Sequence, residues 1–324
     1  MHRQNALLRR NALGDFRTLA KEAALDPAML RYLDNGTNRK GTPQENWARE
    51  LWELMMLGPG NYTQGDVRES ARAWTGHNLD ADKLEYQYYP ERHDTGSKTI
   101  LGQTGAWDGV QVIDLTLDGP VSGPTCARFV ARKLWSFLAY PSPGDALVNE
   151  LADIFRGSGW SIRALVRAIL LHEEFWSDRA RDALVRSPVE YVVATMRAVG
   201  LDAAAVNVQW WMANMGQELF NPPNVSGWRG GSSYISTTAF WARSSYVRYI
   251  TWKARDAGVL AGTGDMAAPA AVQAAFDRFG IDRPDAHTRG VLESWVRAQQ
   301  AAGRWAIQPN LITLGLLTPE FQLA

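Results

Sequence analysis

The sequence predicts a mainly α protein, a single domain of about ten helices (residues 1–324) with a small β-hairpin in residues 84–104. Three observations predict it. Helix-start signals recur: Asp26-Pro27, Thr42-Pro43-Gln44-Glu45, Thr63 to Asp66 and Ser187-Pro188-Val189-Glu190 each set a capping side chain, a first-turn proline or both before an apolar-periodic run. Glycines stand where such runs stop, at Gly36, Gly58, Gly76 and Gly200. The composition, 46% hydrophobic and 21% charged over 324 residues, is that of a globular chain able to bury a core without disulfide or metal staples.

Taken in order, the first helix opens at Pro27 and stops by Gly36. A second runs from Pro43 to Leu57, and a third from Thr63 to about Gly76. Residues 77–120 read as a long loop with the hairpin in it, because LEYQYY alternates and KTILGQTG is rich in turn residues. A loop of this length inside a domain is often functional. Helical patterns resume at GPTCARFVARKLWSFLAY, DALVNELADIFRGSG and SIRALVRAILLHEEFW. Ser187–Gly200 and Asp202–Gln217 follow. NPPNVSGWRGGSSY is irregular. Helices are expected again at Thr238–Arg255, Pro269–Phe279, Pro284–Gln300 and Pro309–Leu317. Sub-lobes would divide at 119/120.

Composition also excludes functions. The 34 basic and 34 acidic residues cancel, and no single-sign block occurs, so a nucleic-acid partner is not expected. No apolar run approaches the ~18 residues of a membrane helix, so membrane insertion is not expected either. The N-terminus MHRQNALLRRNALGDF lacks the apolar core of a signal peptide. The one cysteine, Cys126, lies on an apolar helix face with Phe129 and Val130, which predicts a buried, non-nucleophilic thiol. No phosphate loop, dinucleotide fingerprint, HExxH or GxSxG is present.

Four segments could carry chemistry. On PQENWARELWELMML, a uniform helix gathers Glu45, Asn46, Arg49, Glu50 and Glu53 into one arc of about 140°. This is either a solvated face laced by i,i+4 ion pairs or a polar face turned into a cleft. In a cleft, neighbouring carboxylates bind a divalent metal or divide acid and base roles. In DVRESARAWTG, Asp66 and Ser70 share a face and Glu69 can pair with Arg72, or Asp66 simply favours the helix dipole. In PERHDTGSKTILG, His93 as base, Asp94 as its orienter and Lys98 as electrostatic stabiliser compete with ordinary turn chemistry. In NPPNVSGWRGG, prolines and glycines stiffen the backbone around Asn224 and Trp228, as a pocket wall or as a connector. The fourteen tryptophans suit a helical core, and exposed ones would stack on sugar rings or aromatic ligands.

These segments, with CARFVARKLWSF, SPVEYVVATMRAVG and the C-terminal LLTPEFQ, follow one another in the order of a large bacterial family, domain of unknown function 1800 (DUF1800). The chain resembles that family over nearly its whole length. The resemblance implies no established activity. It marks Asn46, Arg49, Glu50, Glu53, Asp66, His93, Asp94, Lys98 and Trp228 as family-typical positions. It also implies a longer chain in most members, with an upstream helical region, export from the cell and a sulfatase-like partner protein.

The expected function is a hydrolase with a carboxylate- and histidine-lined cleft. Its catalytic candidates are Glu50, Glu53, His93 and Asp94. Asn46, Arg49, Lys98, Asn224 and Trp228 are candidates to bind ligand, and Glu50, Glu53, Asp66 and His93 to bind a divalent metal. The alternatives are a module binding a glycan or another polymer, and a structural partner of an exported protein. On the cleft reading, the Glu50/Glu53 helix, the His93 loop and the Trp228 loop line one site.

Overall fold

Local capping and burial account for the elements of the computed structural model, which describes residues 1–80, 82–303 and 306–324. Among these residues are fifteen α-helices and two two-stranded antiparallel sheets, so the fold is mainly α as the sequence predicts. The chain forms two compact units, Met1–Ser177 and Asp178–Ala324. The division falls at 177/178 and not at 119/120.

In the first unit, α1 (His2–Asn11), α2 (Phe16–Ala24) and α3 (Pro27–Tyr32) lead in. Asp15 caps α2, and Asp26 caps α3 by accepting from the backbone N–H groups of Ala28 and Met29. α4 (Glu45–Glu50) continues into a π-helical turn, Leu51–Met56. The Thr42 capping box does not form. Thr42 is held in a bridge with Arg39, and the Gln44 N–H goes to the Asn38 side chain at 2.9 Å. The π turn has its own consequence: each of its residues advances less than the 100° of an α-helix, so the polar arc expected for a uniform helix does not carry through to Glu53.

α5 (Gln64–Ala73) opens on the expected box, with Thr63 and Asp66 bonding each other's backbone. Two hairpins then replace the single one expected. β1 (His77–Asp80) pairs with β2 (Glu85–Tyr88), with His77 opposite Tyr88, and β3 (Lys98–Ile100) pairs with β4 (Gln103–Gly105). A helix absent from the sequence reading, α6 (Gly109–Asp118), follows under an Asp108–Gln111 capping box. α7 (Ser122–Leu138) packs on both α6 and α8 (Asp145–Gly157), and α8 packs on α9 (Ile162–Leu171). This packing is why 120–177 belong with the residues before them. Trp47, Trp52, Trp74 and Trp135 are fully buried. Each removes about 150–250 Å² from water, worth roughly 4–6 kcal/mol of transfer free energy. Cys126 is buried on α7, as expected, and burial pushes its thiol far above the ordinary range.

The second unit begins its helices with α10 (Pro188–Val199), which has the Ser187–Glu190 box at one end and Gly200 in the left-handed conformation at the other. The expected helix from Asp202 shrinks to α11 (Val208–Asn214). Asp202 caps only a short 3₁₀ turn, and Asn207 starts the chain again as a new cap. α12 (Thr237–Asp256), α13 (Ala268–Phe279), α14 (Ala286–Ala301) and α15 (Ile307–Leu316) complete it. Their apolar faces close around Tyr191, Tyr246, Phe276, Leu311, Ile312 and Phe321.

Candidate functional site

The turn that follows α5 concentrates titratable side chains. Gly76 has a φ of +83°, and a Cβ there would lie 2.8 Å from the Tyr89 carbonyl oxygen and 3.2 Å from His93 Cβ. Only glycine lets the two arms of the β1–β2 hairpin close this tightly. Three buried asparagines hold the base of the turn. Asn35 Nδ2 donates to the His77 carbonyl, Asn38 Nδ2 to Asn35 Oδ1 and to the Ala71 carbonyl, and Asn78 Nδ2 to the carbonyls of Asn35 and Asn38, all at 2.8–3.0 Å.

His77 stands in this frame, buried, with both ring nitrogens engaged. Its Nε2 lies 2.9 Å from Asp108 Oδ2, and its Nδ1 lies 3.1 Å from the Tyr86 hydroxyl. An ionised carboxylate only accepts, so Nε2 carries the proton, and in the neutral ring Nδ1 accepts from Tyr86. Asp108 also caps α6 through Oδ1, which fixes its carboxylate. Burial opposes ionisation of Asp108, but the His77 bond and charge and the Val110 N–H win and hold its carboxyl below the usual range. Burial, with the Asp108 charge, pushes the Tyr86 hydroxyl up to about 12, so Tyr86 is a proton donor at neutral pH.

His93 lies beside this relay, its ring centroid 6.5 Å from that of His77 and 5.9 Å from that of Tyr88. Its Nδ1–H donates to the Thr75 carbonyl at 2.8 Å, which leaves Nε2 with its lone pair unprotonated in the neutral ring. Asp94 is not its orienter. Arg72 takes both Asp94 oxygens, at 2.8 and 3.2 Å, and Arg72 also pairs with Glu69. Those Arg72 contacts hold the Asp94 carboxyl below the ordinary range. Lys98 is buried and donates to the carbonyls of Asp94 and Gly96, so it fastens the turn that bears it.

At the other end of α5, Arg49 bridges Glu45 and Gln64. Glu53 accepts from the Tyr62 hydroxyl at 3.0 Å. Burial raises the Glu50 carboxyl above the ordinary range, and the Glu53 charge adds to this against the pull of Arg49. Tyr62 lines a groove of about 380 Å³ with Thr63, Asp66, Leu101 and Ser122.

One comparison decides the family: a model described as a protein of unknown function, DUF1800, matches residues 1–323. The chain belongs to the DUF1800 family. Neither a functionally described protein nor a solved structure matches it.

The positions that the DUF1800 resemblance marks therefore fall into separate groups. Arg49, Glu50 and Glu53 sit with Tyr62, and Asn46 is exposed. Asp66 is engaged in its capping box and beyond, its Oδ2 accepting from Thr63 and its Oδ1 from the Leu101 N–H. His93, Asp94 and Lys98 share the segment that joins the two hairpins. Among the described residues no three His, Cys, Asp or Glu side chains converge as metal ligands, so Glu50, Glu53, Asp66 and His93 do not form the joint metal site considered from sequence. Asn224 and Trp228 belong to the second unit, where Asn224 Oδ1 accepts from the Ser226 N–H to shape its turn. The sequence reading missed His77, Tyr86 and Asp108. The signals were present: LEYQYY puts Tyr86 and Tyr88 on one strand face, and Asp108 begins a capping box.

Proposed function

We propose that this DUF1800 chain is a hydrolase whose acid–base centre is Tyr86, His77, Asp108 and His93 in the first unit. The observation that carries the reading is the engagement of both His77 nitrogens, with a carboxylate on one side and a phenol on the other. Asp108 holds the imidazole in one orientation and steadies its positive charge when it gains a second proton. In that state Nδ1–H donates to the Tyr86 oxygen, and the phenol O–H turns to protonate a leaving group. His93, with Nδ1 occupied by Thr75, offers Nε2 as the base that takes a proton from attacking water. Asp94 and Lys98 then act by keeping the His93 turn in shape.

The test is turnover of a panel of chromogenic esters, amides, glycosides and phosphoesters by the wild type and by Tyr86→Phe and His93→Gln. The expected result is hydrolysis of at least one class, and losses of about 10²-fold or more in each variant with an unchanged circular dichroism spectrum. A wild type inactive on every class, or variants of undiminished rate, would overturn it. A second reading gives the acid and base roles to Glu50 and Glu53. The groove walled by Tyr62, the residue bonded to Glu53, favours it. Under that reading Glu53→Gln loses activity and Tyr86→Phe keeps it.

A further inference from the structure

The second unit carries a feature that the acid–base reading does not use. On α11 and α12 every exposed large apolar side chain is aromatic: Trp210, Phe240, Trp241, Tyr249 and Trp252. Trp241 is 72% exposed, Trp210 54%, Trp252 47% and Tyr249 45%, values that rule out a core role. At 100° per residue, Trp241, Arg248 and Trp252 fall within about 40° of one another on α12, and Tyr249 lies about 60° further round. From Trp241 to Trp252 the helix rises about 16 Å. Tyr249 extends the surface sideways, since its ring centroid is 5.5 Å from that of Trp211, which in turn meets Trp210 at 4.7 Å.

Cations are set among these rings. Lys253 Nζ lies 5.8 Å from the Tyr249 centroid, and Arg255 stacks on Trp252 at 4.5 Å. Asp256 neutralises Arg255. Neither Arg248 nor Lys253 has a carboxylate partner among the described residues, and both are exposed.

We propose that this face of α12, with Trp210 and Trp211 of α11, binds an acidic polysaccharide. Flat indole and phenol rings match the C–H faces of sugar rings, and their N–H and O–H edges reach hydroxyl groups. The two unpaired cations supply a counter-charge to carboxylate or sulfate groups. A protein partner would have to desolvate those cations, which is costly unless it pairs both. A nucleic acid would want a cation for most of its phosphates, and the chain's balanced charge offers no such stripe.

The test is affinity electrophoresis and titration of tryptophan fluorescence with polygalacturonate, run beside a neutral soluble β-glucan and poly(dT), with light scattering for self-association. The wild type is expected to be retarded by polygalacturonate at least tenfold more than by the β-glucan. Trp241→Ala/Trp252→Ala is expected to lose at least tenfold in affinity with its circular dichroism unchanged, and Arg248→Gln to lose less while flattening the salt dependence. If the double variant fails to fold, Trp241→Ala alone decides, because that side chain projects into solvent. Absence of retardation, equal retardation by β-glucan, tighter binding to poly(dT), undiminished binding by the variants, or a stable dimer that the double variant abolishes would each overturn the proposal. Hydrolysis assays on small chromogenic substrates are independent of this surface, so the two readings fail separately.

Discussion

The two units differ most in where they place their histidines and tryptophans. The first unit buries Asn35, Asn38, Asn78, His77, His93 and Lys98 and finds each a partner. All the buried tryptophans of the described residues are there too. The second unit closes mostly on tyrosine, phenylalanine and aliphatic side chains around a smaller polar set in which Arg243 donates to Gln322 and to the Arg186 carbonyl, and three of the four exposed tryptophans of the described residues are on its helices. A bonded polar interior fixes side-chain orientation, which proton transfer requires, at the cost of intolerance to change. An aromatic exterior offers area for recognition.

The most severe way to break this contrast is at Gly76. Gly76→Ala places a side chain at a left-handed φ and 2.8 Å from a carbonyl oxygen, and is expected to cost about 3–4 kcal/mol. Denaturant titration checks it, and a loss under 1 kcal/mol would mean that the turn relaxes and that the histidines are less firmly held than their contacts indicate. Asn38→Ala comes next. It strips partners from Asn35 Oδ1, the Ala71 carbonyl and the Gln44 N–H, an expected loss of about 2–3 kcal/mol in the same measurement. An exposed asparagine such as Asn214 replaced in the same way serves as the comparison and should change stability by less than about 0.5 kcal/mol.

Acid sharpens the contrast with a smaller effect. Among the described residues, the carboxyls held below their ordinary values are all in the first unit, including Asp94 beside Arg72, Asp108 beside His77 and Asp114 beside Lys21 and Arg17. A folded pKa below the unfolded value of about 3.9 gives stability that is complete above that pH and is lost as pH falls through the folded pKa. The effect is on the order of 1 kcal/mol after solvent screening. Hydrogen exchange followed by mass spectrometry from pH 6 to pH 3 should therefore show protection falling more in residues 1–177 than in 178–324. Equal or reversed losses would remove the electrostatic half of the comparison.

Much of this fold is legible in the sequence because caps act locally. Asp26, Thr63 and Ser187 each begin a helix within the first residues of the expected one, and Gly200 ends its helix as a left-handed cap. The misses come from forces that local reading does not weigh. α6 opens on Gly109 and carries the β-branched Val110, Val112, Ile113 and Thr116, poor helix formers, yet it buries Val112, Ile113, Leu115 and Leu117 and forms through that burial. Thr42 loses its cap because its own N–H goes to the Arg39 carbonyl and the Asn38 side chain, six residues before Gln44, claims the Gln44 N–H. The candidate site was half visible. His93 was found from its own segment, but its orienter is the Thr75 carbonyl, and backbone groups leave no trace in residue identity. His77, Tyr86 and Asp108 are 31 residues apart at the extremes; the β1–β2 hairpin sets His77 beside Tyr86, and Asp108 reaches His77 from the start of α6.

Cys126 gives the molecule an unplanned convenience. Its sulfur is sealed inside α7 and its thiol is held protonated by burial, so the native chain presents no reactive sulfur to a maleimide or an iodoacetamide. A cysteine introduced on the outer face of α12 or beside the hairpin would be labelled alone, in the otherwise unaltered sequence. The sulfur already present would then serve as a stopwatch, since each molecule that reacts there has first opened its interior.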